Sequence, residues 1–263
     1  MTSFEHAVAS TQGAREYQED TAAFWPNGQG PFAGAAALSC AWQGSFAVLA
    51  DGMGGHAGGA LASRMACESF LNAAVTSDVA DLHDRLHAAL DAANAAIANK
   101  VDANPLLSGM GSTLIGAAFS QLGVEWISVG DSPLYLYRRG EIAVLNEDHS
   151  LAPELDRLVA AGRLSEAEAK RDPRRHMLRS AVTGDEIDMI DISQRPLPLE
   201  HGDYVVLASD GVETLDPQEI ARIIQGYGTD GAEAVARALI RAVDAVRQPY
   251  QDNATVVVVR QLG

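Results

Sequence analysis

Cysteine is scarce in this chain: Cys40 and Cys67 are the only two among 263 residues. Two thiols cannot build a disulfide scaffold, and standing alone they make no zinc site. Neither opens a Cys-x5-Arg phosphate loop, because the sixth residue on is Phe46 in one case and Ala73 in the other. Basic residues are also few, 19 Lys+Arg against 35 Asp+Glu, for a net charge of −16. A polyanion is held by clustered Lys and Arg, so this balance argues against nucleic acid and anionic membrane as partners. No run approaches the ~20 apolar residues of a membrane span. The first ten residues carry Glu5 and His6 where a signal peptide needs a basic start and an apolar stretch. A cytoplasmic protein is the expectation. Internal repeats, low-complexity tracts and long Pro/Ser linkers are missing too, and the one dense turn cluster, Pro26 to Pro31, fits a single surface loop. One domain over residues 1–263 is therefore expected.

What the chain does have is apolar material: 47% hydrophobic residues against 21% charged, enough for a full core. Short β-type runs cover Thr21 to Trp25, Phe46 to Ala50, Thr113 to Phe119, Trp126 to Val129, Leu134 to Tyr137, Tyr204 to Ala208 and Thr255 to Val259. A helix is expected over Ala60 to Ala74. In a second, Leu82, Leu86, Leu90, Ala93, Ile97 and Val101 recur at three- and four-residue spacing before Pro105. Val235, Leu239, Ala242 and Val246 mark a late helix. Strands in hairpin-like succession and helices in blocks indicate an α+β fold with antiparallel sheets that need helices on their outer faces.

The informative pattern is where aspartates fall relative to these strands. Asp51 follows the strand Phe46 to Ala50, Asp210 follows Tyr204 to Ala208 after Ser209, and Asp131 follows Trp126 to Val129 after Gly130. Asp20 and Asp252 instead precede strands. In an antiparallel sheet the start of one strand lies beside the end of its neighbour, so all five carboxylates can gather at one edge. Gathered carboxylates repel, and must be protonated, solvated or neutralised by cations. Oxygen ligands without Cys or a His cluster select hard ions, Mg²⁺ or Mn²⁺. Gly52 and Gly211 directly follow Asp51 and Asp210, freeing the backbone to turn and a carbonyl to approach an ion. Taken singly, each Asp-Gly is more simply a turn. Two adjacent hard ions suit hydrolysis at phosphorus. Arg15, five residues before Asp20, could present a bidentate guanidinium to a phosphate at the same edge, although alone it reads as a surface salt bridge.

These residues resemble a known family. Arg15-Glu16-Tyr17-Gln18-Glu19-Asp20, Ala50-Asp51-Gly52-Met53-Gly54-Gly55-His56, Gly111-Ser112-Thr113, Val129-Gly130-Asp131-Ser132, Asp148-His149-Ser150, Ser209-Asp210-Gly211 and Asp252-Asn253 are similar, in order, to the signature blocks of the metal-dependent (type 2C) serine/threonine protein phosphatases, in their compact bacterial branch. The resemblance runs from about Gly13 to Val259. It implies a four-layer α/β/β/α sandwich with two Mn²⁺ or Mg²⁺ ions where the sheets meet. Asp51 would bridge both ions, the Gly52 carbonyl would hold one, Asp210 and Asp252 would complete the centre, and Asp20 would bind through water. Arg15 would hold the substrate phosphate, and Asp131 with Asp210 could hold a third, weaker ion. It also implies a flap at about residues 150–182, phosphoprotein substrates that include a Ser/Thr kinase or its targets, and a monomer. Three positions depart from the pattern: Gln18 stands for the usual Asn, Pro133 for the usual Arg, and Met53 where many members place a His proposed as general acid. His56 or solvent is then left to protonate the leaving group, and seryl and threonyl oxygens are poor leaving groups.

Other signals are weaker. Gly52-x-Gly54-x-x-Ala57 superficially fits a dinucleotide fingerprint, but Asp51 would repel a pyrophosphate and the parallel βαβ context is missing. His83 and His87 sit four apart on a helix without an acidic third ligand, which favours a solvated face. Asp148-His149-Ser150 are sequence neighbours and cannot align as a relay triad. Arg157 to Arg179 carries seven of the 19 basic residues and could dock an acidic or phosphorylated peptide, or simply be a solvated surface. The reading is a metal-dependent phosphoserine/phosphothreonine phosphatase. The alternative is a phosphoprotein-binding scaffold of the same fold that has lost turnover.

Overall fold

The computed structural model describes residues 3–26, 44–54 and 57–263. His56, Cys40 and all of the turn cluster except Pro26 lie outside the described residues. Two antiparallel sheets form the centre. One has strand order β1 (Phe4–Thr11), β11 (Ala254–Gln261), β10 (Tyr204–Ala208), β7 (Leu134–Arg138), β8 (Glu141–Val144). The other runs β2 (Asp20–Trp25), β3 (Ser45–Met53), β5 (Leu114–Ser120), β6 (Gly123–Val129), β9 (Asp191–Ile192), with the short β4 (Gly111–Ser112) pairing the end of β3.

The expected strands are apolar along their whole length because both faces are covered. In β3, Phe46, Val48 and Ala50 pack under helices α1 (Ala57–Thr76) and α2 (Leu82–Ala103), while Ala47 and Leu49 face the other sheet. In β10, Tyr204, Val206 and Ala208 pack under α5 (Pro217–Tyr227) and α6 (Ala232–Val246), while Val205 and Leu207 fill the space between the sheets. This is the four-layer α/β/β/α sandwich. Local signals set the helix ends: Asp81 caps α2 by accepting from the Asp84 N–H, and Asp216 and Glu219 form a reciprocal cap on α5 with Pro217 in its first turn.

The strand expected over Thr113 to Phe119 is β5, which begins one residue later at Leu114. β4 ends at Ser112, and Thr113 turns out of the ladder to donate its N–H to the Asp51 carbonyl at 2.9 Å and to pair its hydroxyl with Ser132 at 2.7 Å. Helix α1 meets the sheet closely enough that the tip of the Phe70 ring reaches Gly116, and a methyl group there would overlap its Cζ. Gly116→Ala should destabilise the fold by about 1–3 kcal/mol through overpacking, read as a lowered thermal midpoint. An unchanged midpoint would mean that the Phe70 ring steps aside without cost.

Candidate metal centre

The strand registers carry the aspartates together. Asp20 and Asp51 face each other as cross-strand partners of β2 and β3. In the other sheet, Asp210 lies beyond the end of β10 and Asp252 just before β11, the strand paired with β10. Ser209 joins the two sheets here: its hydroxyl donates to Asp20 Oδ2 at 2.7 Å and accepts the Thr255 N–H at 2.9 Å. Asp51, Asp131, Asp210 and Asp252 line one cleft of about 740 Å³, together with Arg15, Gly52 and Met53. All five carboxylates sit at one edge of the sandwich, as strand polarity requires.

The electrostatics follow from burial. Loss of water raises the Asp20 carboxyl to about 6, helped by the charges of Asp210 and Asp252. Burial raises Asp131 to about 8, with Asp210 and Asp148 adding to it. Asp51 is pushed well above the carboxylate range by burial and then by Asp20, Asp210, Asp252 and Asp131. Asp210 moves the same way, from burial and Asp252, although a hydrogen bond with Asp51 and the positive charges of His176 and Arg15 work against it. The side chains thus compete for protons where no other cation is supplied.

A hard cation suits this arrangement. Asp20 Oδ1 and Asp210 Oδ1 are buried without any hydrogen-bond partner, the state in which a carboxylate oxygen is most costly to leave. No three Asp, Glu, His or Cys side chains among the described residues already close around one point. Carbonyl and water ligands would have to complete any shell, which is the habit of Mg²⁺ and Mn²⁺ rather than of zinc.

The two Asp-Gly steps have a reason beyond the turn. A Cβ on Gly52 would overlap the Gly59 carbonyl, and one on Gly211 would overlap the Asn253 carbonyl. The glycines let neighbouring backbone close in behind each aspartate. Arg15 makes an ion pair with Asp252, which raises its own pKa further, and its side chain remains half exposed at the cleft.

Residues without an assigned role in the sequence reading hold this edge in place. Asn253 is 3% exposed; its amide donates to the Gln12 and Tyr17 carbonyls at 2.9 and 3.0 Å and accepts the Glu19 N–H at 2.8 Å. It fixes the loop that carries Arg15 against Asp252. Gln251 does the same from the other side, donating to the Gly211 carbonyl at 3.0 Å. Buried Asn and Gln beside a strand start were the available signal. Gln18, the departure from Asn, accepts the Asp20 N–H at 3.0 Å and donates to the Thr11 carbonyl at 3.2 Å, so the longer amide serves as a loop clamp. Pro133 is buried and its carbonyl accepts the Ala208 N–H at 3.0 Å, tying the Asp131 turn to β10.

Above the cleft lies the segment with α3 (Ala152–Ala160) and α4 (Glu166–Arg171). Three of its six arginines are engaged within it: Arg175 forks onto Asp156 at 2.8 and 3.0 Å, Arg174 onto Asp172 at 3.0 and 2.8 Å, and Arg179 lies 3.9 Å from Glu154. These pairs brace the segment, and Arg179 and His176 reach the cleft wall. His87 pairs with Asp91 on an exposed helix face, 3.4 Å away, as a solvated face would.

Comparison with known proteins gives consistent similarities. The sequence profile of the family "Protein phosphatase 2C" matches residues 35–249. The chain is 35% identical over 211 residues to the serine/threonine protein phosphatase PstP of Mycobacterium tuberculosis, covering 80% of this chain but only 39% of that protein. It is 30% identical over 219 residues to the serine/threonine phosphatase stp of Listeria monocytogenes, covering 81% of this chain and 83% of that one. The crystal structure of the PstP catalytic domain with two manganese ions superposes with a TM-score of 0.76 at 28% identity, covering both chains fully.

Proposed function

The chain belongs to the protein phosphatase 2C family, and from that premise we propose that it hydrolyses phosphoserine and phosphothreonine in proteins with two Mn²⁺ or Mg²⁺ ions. The observation that carries this reading is the gathering of Asp20, Asp51, Asp131, Asp210 and Asp252 at one cleft edge, with two buried carboxylate oxygens unsatisfied. Asp51, the Gly52 carbonyl, Asp210 and Asp252 would hold the ions, Asp20 would act through water, and Asp131 with Asp210 would hold a third. When bound there, two such ions would supply an acidified water and charge stabilisation for the phosphoryl group.

The chain's own groups do the rest. Arg15 stands half exposed at the cleft and would take two phosphate oxygens in its planar fork. Arg15→Ala should raise KM for phosphate esters by about tenfold, the worth of one charge-assisted contact, with a smaller change in kcat. An unchanged KM would remove Arg15 from the substrate site. Met53 cannot donate a proton, and His56 is the residue we assign to leaving-group protonation. The cleft walls of the segment at about 150–182 would act as the flap over substrate.

The same reading includes one domain over 1–263, a cytoplasmic monomer and a signalling role opposing a Ser/Thr kinase; the relatives' names support its serine/threonine phosphatase part. Hydrolysis of p-nitrophenyl phosphate after chelation, with Mn²⁺, Mg²⁺, Ca²⁺ or Zn²⁺ returned singly, tests the activity. Turnover restored by Mn²⁺ or Mg²⁺ and lost in Asp210→Asn is expected. No turnover from a folded protein with any of them would favour the phosphoprotein-binding scaffold.

A further inference from the structure

The string Asp148-His149-Ser150 has no part in the chemistry above, yet it lies between the Asp131 turn and the returning limb of the flap. His149 is 1% exposed. Its ring Nδ1 accepts the Gly130 N–H at 3.3 Å, and its own N–H donates to the Gly130 carbonyl at 3.1 Å. Its carbonyl accepts the Arg179 N–H at 2.8 Å, and Ser150 pairs with Leu178 on the same limb. One residue therefore holds both peptide groups of Gly130 and grips the flap.

Gly130 has little freedom of its own. Its φ is +104°, and a Cβ there would meet the Thr113 side chain at 2.6 Å. The ring bond settles the Val129–Gly130 peptide, and the His149 backbone N–H settles the Gly130–Asp131 peptide that follows it. A backbone N–H can only donate, so Nδ1 meets it with a lone pair; burial, which lowers the basicity of His149 against the opposing charges of Asp191, Glu147 and Asp148, acts in the same sense. Without the ring that buried N–H would lack its partner.

We propose that His149 is a positioning residue of the catalytic centre: its ring fixes the Val129–Gly130 peptide, one residue before Asp131, and so helps aim the Asp131 carboxylate into the cleft and link it to the flap. The proposal rests on Asp131 being a cation ligand. Groups that orient a ligand from outside the shell typically govern metal affinity by about 10–100-fold.

The test uses the full chain as wild type, His149→Leu, His149→Asn and Asp131→Ala. Hydrogen exchange of the peptide spanning Gly130 and Asp131 is followed in metal-free protein, and Mn²⁺ binding is followed by the electron paramagnetic resonance of the free ion. His149→Leu should speed exchange there and weaken the loosest class of Mn²⁺ sites by about tenfold. His149→Asn, whose amide oxygen stands near the place of Nδ1, should restore both to within about threefold of wild type. Should His149→Leu not fold, His149→Gln, with its oxygen one bond farther out, should show the same losses. Wild-type exchange and Mn²⁺ binding in the acceptor-less variant, with binding lost in Asp131→Ala, would overturn the positioning role alone. Full Mn²⁺ binding in Asp131→Ala would overturn it by removing Asp131 from the metal centre.

Discussion

Asp51→Asn should lower kcat by about a thousandfold or more, equivalent to about 4 kcal/mol of transition-state stabilisation, without unfolding the protein. The backbone of Asp51 is held independently of its carboxylate: its N–H donates to the Thr113 hydroxyl at 3.1 Å, and its carbonyl accepts the Thr113 N–H at 2.9 Å and the Ser112 hydroxyl at 2.8 Å. Asparagine would stay in place while losing the charge that binds a cation. The same change removes a buried carboxylate that Asp20, Asp210 and Asp252 repel, so the metal-free variant should melt no lower than wild type. Kinetics on p-nitrophenyl phosphate and thermal melts with and without Mn²⁺ check both halves. Wild-type turnover at limiting Mn²⁺ would sink the role of Asp51; a lowered metal-free midpoint would show that the carboxylate helps hold the fold.

Much of this centre was legible because strand polarity is legible. Apolar runs such as Tyr204 to Ala208 mark strands, and an aspartate at a run's end must sit at the sheet's edge. The doubly covered strands made the runs continuous, which is why β3, β10 and β11 stood out. Strand β1 did not, since Phe4–Thr11 carries Glu5, His6, Ser10 and Thr11 on an edge buried only in part. The two-residue β9 owes its strand form to pairing with Ile127 and Ser128 rather than to propensity. Helix α5 escaped notice although Asp216, Pro217 and Glu219 spell its cap. Within the site, charged residues announced themselves, whereas Asn253, Gln251 and Ser209 act by hydrogen bonds to distant backbone. No local pattern encodes those partners.

Metal-free protein should become less heat-stable as pH rises from 5 to 8, and Mn²⁺ should reverse the loss at the upper end. A carboxyl whose pKa is raised by folding holds its proton more tightly in the native than in the unfolded chain, so it favours the fold at low pH and loses that advantage as pH climbs through the raised value. Asp20 spans 3.8 to about 6, Glu213 spans 4.5 to about 7 and Asp131 spans 3.8 to about 8, each displaced chiefly by burial. Asp51 and Asp210 are shifted in the same direction. His149 opposes them, because burial lowers its pKa below 6.5 and its neutral form favours the fold as pH rises toward that value. Asp156 and Asp172, held low by Arg175 and Arg174, are ionised in both states above pH 5 and add no slope. Glu125, also raised by burial, makes six groups against one, and the net slope is downward. At this chain length about 1 kcal/mol corresponds to some 2–4 °C, so a drop of about 5 °C or more between pH 5 and pH 8 is expected in chelator. Saturating Mn²⁺ at pH 8, at about a hundred times its dissociation constant, should add about 2.7 kcal/mol and raise the midpoint accordingly. A metal-free midpoint that is flat or rises over this window would mean that the carboxylates are not crowded in water-poor surroundings, and the electrostatic case for the cation site would fall with it.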